Sequence, residues 1–338
     1  MNARVAAILV VLLVVLGGAA LLFQREESSR RPENVGTLGQ PLFKHLPAAD
    51  IAQIRIVEPK STLTLQRKQD GWVIAERGGF PADNGKVREF VLKAIGLKIG
   101  QSEPAGGEDR ARLNLDASGT QVEFDGADGK ALGLLIIGKK YFRREVDNPE
   151  RAAADGRFVS LPGEAKLVYI VSDPLAQASA KTGDWIDRAS FQVEKVKALQ
   201  VRYPAGGGWR IERSGENAPW KLADARPGEK VDSSRANAAT YSLSLLELAD
   251  VAPKGAKDTG LDAPTLINAT TLDGRSYAIR VGKPAGEDYY IAFRASGEPV
   301  KPREKMLSDH VLLVPKSKLA DTLKKRSELL EKKADKRK

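Results

Sequence analysis

The chain carries two hydrophobic periods, and the points where the period changes mark its elements. An unbroken apolar run comes first, Val5 to Phe23 (VAAILVVLLVVLGGAALLF), with no charged or strongly polar side chain. As a helix this run is roughly 28 Å long, close to the hydrocarbon thickness of a bilayer. Residues 24–45 contain Pro32, Gly36 and Gly39 and show no period, which predicts a linker. Beyond it, Ile54-Arg-Ile56 and Leu63-Thr-Leu65 alternate as half-buried strands, with a turn at Asp70-Gly71. Val87, Phe90, Val91, Ala94 and Ile95 then recur at helical spacing, with Asp83 or Asn84 as the cap and Gly96 as the stop. Val122-Glu-Phe124 and Leu132–Ile137 predict a β-meander, and Leu175–Ile186 predicts a closing helix.

The same order returns about 145 residues later. Ile54-Arg-Ile56 reappears as Leu199-Gln-Val201, and Leu63–Arg67 as Trp209–Arg213. Gly71-Trp72 corresponds to Pro219-Trp220, Asp83 to Asp232, and Leu115-Asp116 to Leu261-Asp262. Asp128-Gly129-Lys130 corresponds to Asp273-Gly274-Arg275, and the strands that follow end in Gly138 and Gly282. Leu167–Val171 aligns with Val311–Val314. In the second copy a helix is expected from Asp232 or Ser233 to about Leu248, and a closing helix over Leu319–Leu330. A constant offset across strand, helix and meander is what a duplicated unit requires. Hairpin-length connections dominate and βαβ alternation is missing, so the fold class is α+β: two tandem, mostly antiparallel modules behind a transmembrane helix. The expected boundaries are a leader at 1–4, an anchor at 5–23, a linker at 24–45, modules at 46–190 and 191–330, and a basic tail at 331–338.

Charge refines this picture. The formal net charge is +10, but ten Lys/Arg stand against four Asp/Glu from Lys316 onward, so the basic excess is mostly a tail. A nearly balanced body argues against a nucleic-acid partner. The tail's Leu319, Leu323, Leu329 and Leu330 among lysines read as a solvated last helix, with a membrane or partner surface as the rival. The apolar run exceeds the 7–15 residues or so of a cleaved secretory signal, and its small residues are followed by Leu21-Leu22-Phe23. An uncleaved signal anchor is therefore favoured over a cleaved signal or a buried core helix. Arginine counts on the two flanks do not decide the orientation, but a four-residue leader is signal-anchor geometry. The N-terminus would then be cytoplasmic and the body periplasmic, on an inner membrane crossed once.

Much chemistry is excluded by composition. There is no cysteine, so disulfides, thiolate metal sites and thiol nucleophiles are absent. Of the two histidines, His45 and His310 lie far apart beside apolar residues, and each reads as a surface or strand-end residue. No phosphate-binding glycine loop, nucleophile elbow or H-E-x-x-H motif occurs. Asp125–Gly129 lacks the spacing and closing glutamate of a calcium loop and reads as a hairpin turn. Asn268-Ala-Thr270 is a sequon inside an expected strand, and Lys139–Arg144 mixes basic and aromatic residues in what reads as a solvated loop. Trp72 and Trp220, at matched positions, read as shared core. No catalytic, cofactor-binding or metal-binding residue is singled out, and no cofactor is expected.

The order of strand, D-G-W-x-I and capped helix resembles the domain-of-unknown-function family numbered 4340. The residues that carry the resemblance are Leu65–Ile74, Pro81-Ala-Asp83 with Lys86-Val87, the Leu115-Asp116 turn, and Leu167–Pro174 leading to Trp185–Arg188. That family has no assigned catalytic residues. The resemblance implies genomic company with an ABC-type permease, its ATPase and a gliding-type auxiliary membrane protein. Lacking an ATP-binding motif, this chain would be a non-ATPase, envelope-exposed part. The expected function is thus a non-catalytic accessory or scaffold subunit, with the inner membrane, the permease and the auxiliary subunit as partners. A periplasmic ligand- or glycan-binding module and a carboxylate-dependent hydrolase are the rivals. Oligomeric state stays open.

Overall fold

The computed structural model describes residues 37–331, apart from 165, 189–191 and 298–300. The expected anchor at 5–23 lies outside the described residues, as do the first part of the linker and all of the expected 331–338 tail except Glu331. Among the described residues no helix is long and apolar enough to cross a membrane.

Repeat one runs β1 (Ile51–Glu58), β2 (Ser61–Lys68), β3 (Gly71–Ile74), β4 (Phe80–Pro81), α1 (Asn84–Gly96), β5 (Ile99–Pro104), α2 (Gly107–Arg112), β6 (Thr120–Gly126), β7 (Ala131–Tyr141), β8 (Gly156–Ser160) and β9 (Leu167–Val171). Repeat two runs β10 (Val196–Arg202), β11 (Gly208–Glu212), β12 (Lys221–Leu222), α3 (Ser233–Tyr241), β13 (Asp250–Val251), β14 (Thr265–Thr271), β15 (Ser276–Ala285), β16 (Asp288–Ser296), α4 (Pro302–Ser308), β17 (Val311–Pro315), α5 (Lys316–Leu319) and α6 (Arg326–Leu329). The sheet orders are β4-β3-β2-β1-β6-β7-β8-β9-β5 and β12-β11-β10-β14-β15-β16-β17-β13. Apart from β4 they are one topology written twice, built from antiparallel strand pairs.

The duplication extends to irregularities. β1 slips register against β6 between Ile51 and Gln53, and β10 slips against β14 between Val196 and Ala198, 145 residues on. Gly138 and Gly282 lie so near another backbone segment that a Cβ would sit 2.2 Å from the Leu113 carbonyl oxygen and 2.1 Å from that of Thr259. Only glycine admits this approach, and it lets the next amides, Lys139 and Lys283, donate to those same oxygens. The paired helices start alike. The Asp83 carboxylate accepts from the amides of Gly85 and Lys86, and the Asp232 carboxylate from those of Ser234 and Arg235. Each satisfies amides that a helix start leaves without an intrahelical partner.

Compactness does not follow the repeats. One compact unit joins Glu89–Ser179 to the described residues up to Thr62; the other joins Leu63–Arg88 to those from Ala180 onward. In the first unit Phe124 stacks on Phe90 at 6.2 Å and meets the edge of Phe43, among buried Ile54, Ile56, Val122, Leu135 and Val159. In the second, Leu199, Val201, Ile211, Ile267, Ile279, Ile291 and Leu312 line the inner sheet face beneath Ala236, Ala239 and Leu243.

Several expectations need correction. The two closing helices do not form as such. Residues 175–186 are turns with one 3₁₀ turn at Thr182–Asp184, and 319–330 holds only the last residue of α5 and the four-residue α6. The reason is a short ladder beside each helix cap. Asp83 N donates to Trp185 O while Asp187 N donates to Pro81 O; Asp232 N donates to Leu329 O while Glu331 N donates to Lys230 O. Those backbone groups cannot also serve a helix. Leu319 and Leu329 are fully buried, so this segment is core, not a solvated amphipathic tail. The linker also ends early. Gly39 N donates to Ile99 O, Ile99 N to Gln40 O and Leu42 N to Leu97 O, laying 39–42 along β5 with Leu42 buried. The second helix stops at Tyr241 and tightens to a 3₁₀ turn, short of Leu248.

Candidate functional site

The residues named from sequence scatter. His45 is exposed beside the buried Leu46. His310, just before β17, is half-buried, with Nδ1 2.9 Å from Met306 O and its ring edge-on to Phe80 at 5.2 Å. Asp125–Gly129 is the turn between β6 and β7, and Asn268 lies within β14. Lys139, Lys140 and Tyr141 extend β7 rather than forming a loop, and Lys140 Nζ donates to the carbonyls of Glu150 and Ala152. Trp72 pairs with Arg67 across β3 and β2. Trp220 lies next to Lys221, which pairs with Glu212, so it falls opposite Arg213, whose guanidinium sits 4.5 Å above its ring. The two tryptophans are thus equivalent, Trp220 buried and Trp72 half-buried.

The second unit contains a junction that no local pattern announces. Arg77, in the 3₁₀ turn after β3, reaches Asp250 on the edge strand β13 through Nε at 3.1 Å and Nη2 at 2.8 Å. Thr182 completes it, accepting from Arg77 Nη2 and donating to Asp250 Oδ2. Nearby, Arg303 of α4 pairs with Asp187 at 2.8 Å. Beside this junction lies a cleft of about 490 Å³, lined by Arg77, Gly78, Lys254, Asp309 and His310 among others. Two further clefts, of about 450 and 550 Å³, flank Arg213. Tyr241 is the one Phe, Tyr or Trp side chain lining any of the three.

Buried charge is spent on structure. Arg275, at the β14–β15 turn, pairs with Glu304 of α4, and Tyr277 Oη donates to the same carboxylate. The other Glu304 role is to accept the Lys301 amide at the helix start. Burial, followed by the Glu304 charge, pushes the Tyr277 hydroxyl up to about 12. Burial and the hydrogen bond to Glu164 do the same for Tyr169, also to about 12. Arg326 binds Asp224 and Glu229, and its bond holds the Glu229 carboxyl below its ordinary value. Among the described residues no group of three or more His, Asp or Glu could hold a metal ion.

Two antiparallel α+β repeats with a single topology, joined through an arginine–carboxylate junction, define a tandemly duplicated α+β fold. The chain belongs to the family described as Domain of unknown function (DUF4340), whose model matches residues 72–264. No curated protein and no solved structure matches it.

Proposed function

We propose that the chain is a single-pass inner-membrane protein whose periplasmic body serves as a non-catalytic accessory or scaffold subunit of an ABC-type transport complex. Val5–Phe23 would be the anchor, with the permease and an auxiliary membrane subunit as partners. The observation that supports this most is the Arg77–Thr182–Asp250 junction, where the two repeats meet through charges that pair with one another. Other shielded charges, the buried Arg275–Glu304 pair and half-buried Arg326–Glu229, likewise close on one another. Residues 24–36 span at most about 45 Å when fully extended, which would keep the body near the membrane that holds its partners. The three clefts carry mixed charge and a single Phe, Tyr or Trp side chain, which favours a scaffold over a glycan-binding module. Affinity purification of the full chain from native membranes in mild detergent tests the proposal. Recovery of permease and auxiliary subunit supports it, and recovery without any transporter subunit overturns it.

A further inference from the structure

Both sheets turn one face to the core and leave the other to solvent, and in the second sheet that outer face is strongly cationic. Arg202, Arg210, Arg280 and Arg294 are all exposed and alternate with buried Val201, Ile211, Ile279 and Phe293. Cross-strand register places them. One row reads Arg210–Gln200–Asn268–Ala278–Arg294, and the adjacent row reads Gly208–Arg202–Leu266–Arg280–Ala292. Exposed Lys221 lies opposite Glu212, one row further along. With strands about 4.8 Å apart and residues about 3.4 Å apart along each, Lys221, Arg210, Arg202, Arg280 and Arg294 form an arc in which neighbours are about 8–10 Å apart. Glu212 is the carboxylate within it, 3.3 Å from Arg210. Among the described residues neither Arg202 nor Arg294 has an acidic partner.

The duplication supplies an internal control. By strand register, Val57 occupies in repeat one the place of Arg202, Leu134 that of Ala278, and Ile136 that of Arg280. The same backbone lattice therefore tolerates apolar residues at these points, so the arginines are not demanded by the fold. Between them stand Ala198, Gln200, Asn268, Thr270, Ala278 and Ala292, with half-buried Leu266 between Arg202 and Arg280. Arg280 also donates one N–H to the Leu261 carbonyl, which leaves its other N–H groups for a partner.

We propose that this outer face of the second sheet, centred on Arg202, Arg280 and Arg294, is a docking surface for a protein partner with a carboxylate-rich face. It deepens the scaffold reading and rests on it for the partner's setting, not for the surface itself. Charge complementarity selects the occupant. A planar guanidinium takes a carboxylate through two parallel hydrogen bonds, and arginine is enriched at protein interfaces. A bilayer is disfavoured because lipid-facing surfaces carry exposed Trp, Phe or Leu. The exposed large hydrophobic residues, Leu38, Leu92 and Tyr241, all lie off this face. At physiological salt the Debye length is about 8 Å, so cations at this spacing repel one another little, while a partner's carboxylates in direct contact are still felt.

The full chain in nanodiscs of neutral lipid is titrated with fluorescent poly-L-glutamate, and separately with anionic phosphatidylglycerol vesicles. Arg202→Ser/Arg280→Ser/Arg294→Ser is expected to weaken polyglutamate binding about tenfold, from three exposed ion pairs. Lys254→Ser/Lys257→Ser/Lys305→Ser, which removes equal charge elsewhere, is expected to change it less than about twofold. The charge-keeping Arg202→Lys/Arg280→Lys/Arg294→Lys variant separates lost contacts from lost folding, and is expected to stay within about threefold of the parent. Equal losses in both serine variants, loss in the lysine variant, or an effect of the arginine variants on vesicles alone would each overturn the proposal. If the serine variant still co-purifies with transporter subunits as fully as the parent, the scaffold reading stands and this face is wrong.

Discussion

Arg77 and Asp250 stand 173 residues apart in sequence and meet through two hydrogen bonds, at 3.1 and 2.8 Å. Their side chains are 16% and 20% exposed, so the pair is shielded enough for its loss to be felt. Asp250→Ala leaves the guanidinium without its carboxylate and should cost about 1.5–3 kcal/mol in urea unfolding. Asp250→Asn keeps the shape and should cost less. Equal stability of Asp250→Ala and the parent would show that the junction contributes nothing.

The Arg275–Glu304 pair is more deeply placed, each residue being under a tenth exposed. Glu304→Ala strands a buried guanidinium and also removes the acceptor for the Lys301 amide, so a loss of about 3–5 kcal/mol is expected. Hydrogen exchange should rise first across α4 and the β14–β15 turn. Uniform protection in the variant would contradict this.

Tyr169 and Tyr277 are both pushed up to about 12 from an ordinary value of 10, chiefly by burial. The folded state therefore holds these phenolic protons more tightly than the unfolded state. Stability from this source is fully present below pH 10 and is lost as pH rises from 10 through 12. Absorbance at the tyrosinate band should show two of the seven tyrosines titrating last, and Tyr277→Phe should remove one of them.

The matched glycines test the duplication directly. Gly138→Ala and Gly282→Ala each drive a Cβ into a carbonyl oxygen, and each should destabilise by about 2 kcal/mol or more. Gly96, at the end of α1, has nothing within 4 Å of a built Cβ. Gly96→Ala should be neutral or stabilise by up to about 1 kcal/mol. Thermal melts of the three variants would contradict the equivalence if Gly138→Ala and Gly282→Ala differed widely.

Much of the fold was legible because local chemistry decided it. The Asp83 and Asp232 caps, the Gly96 stop, the Asp70-Gly71 turn and the alternation through β1, β2, β10 and β11 each depend on neighbours in sequence. Their recurrence at one offset predicted the shared topology before any pairing was known. Edge strands β5 and β13 escaped notice because β13 has only two residues and the six of β5 are buried only at Ile99 and Ser102, a spacing without strand alternation; they pair with β9 and β17. The terminal segments misled for the opposite reason. Leu319 and Leu329 have helical-looking company, yet they are buried, and the backbone of Leu329 serves the cap of α3 instead. Arg77 finding Asp250, and Arg202 sharing a face with Arg280 and Arg294, are matters of strand order across tens of residues or more. Periodicity records which side of an element a residue takes; which element lies opposite is settled when the sheets assemble.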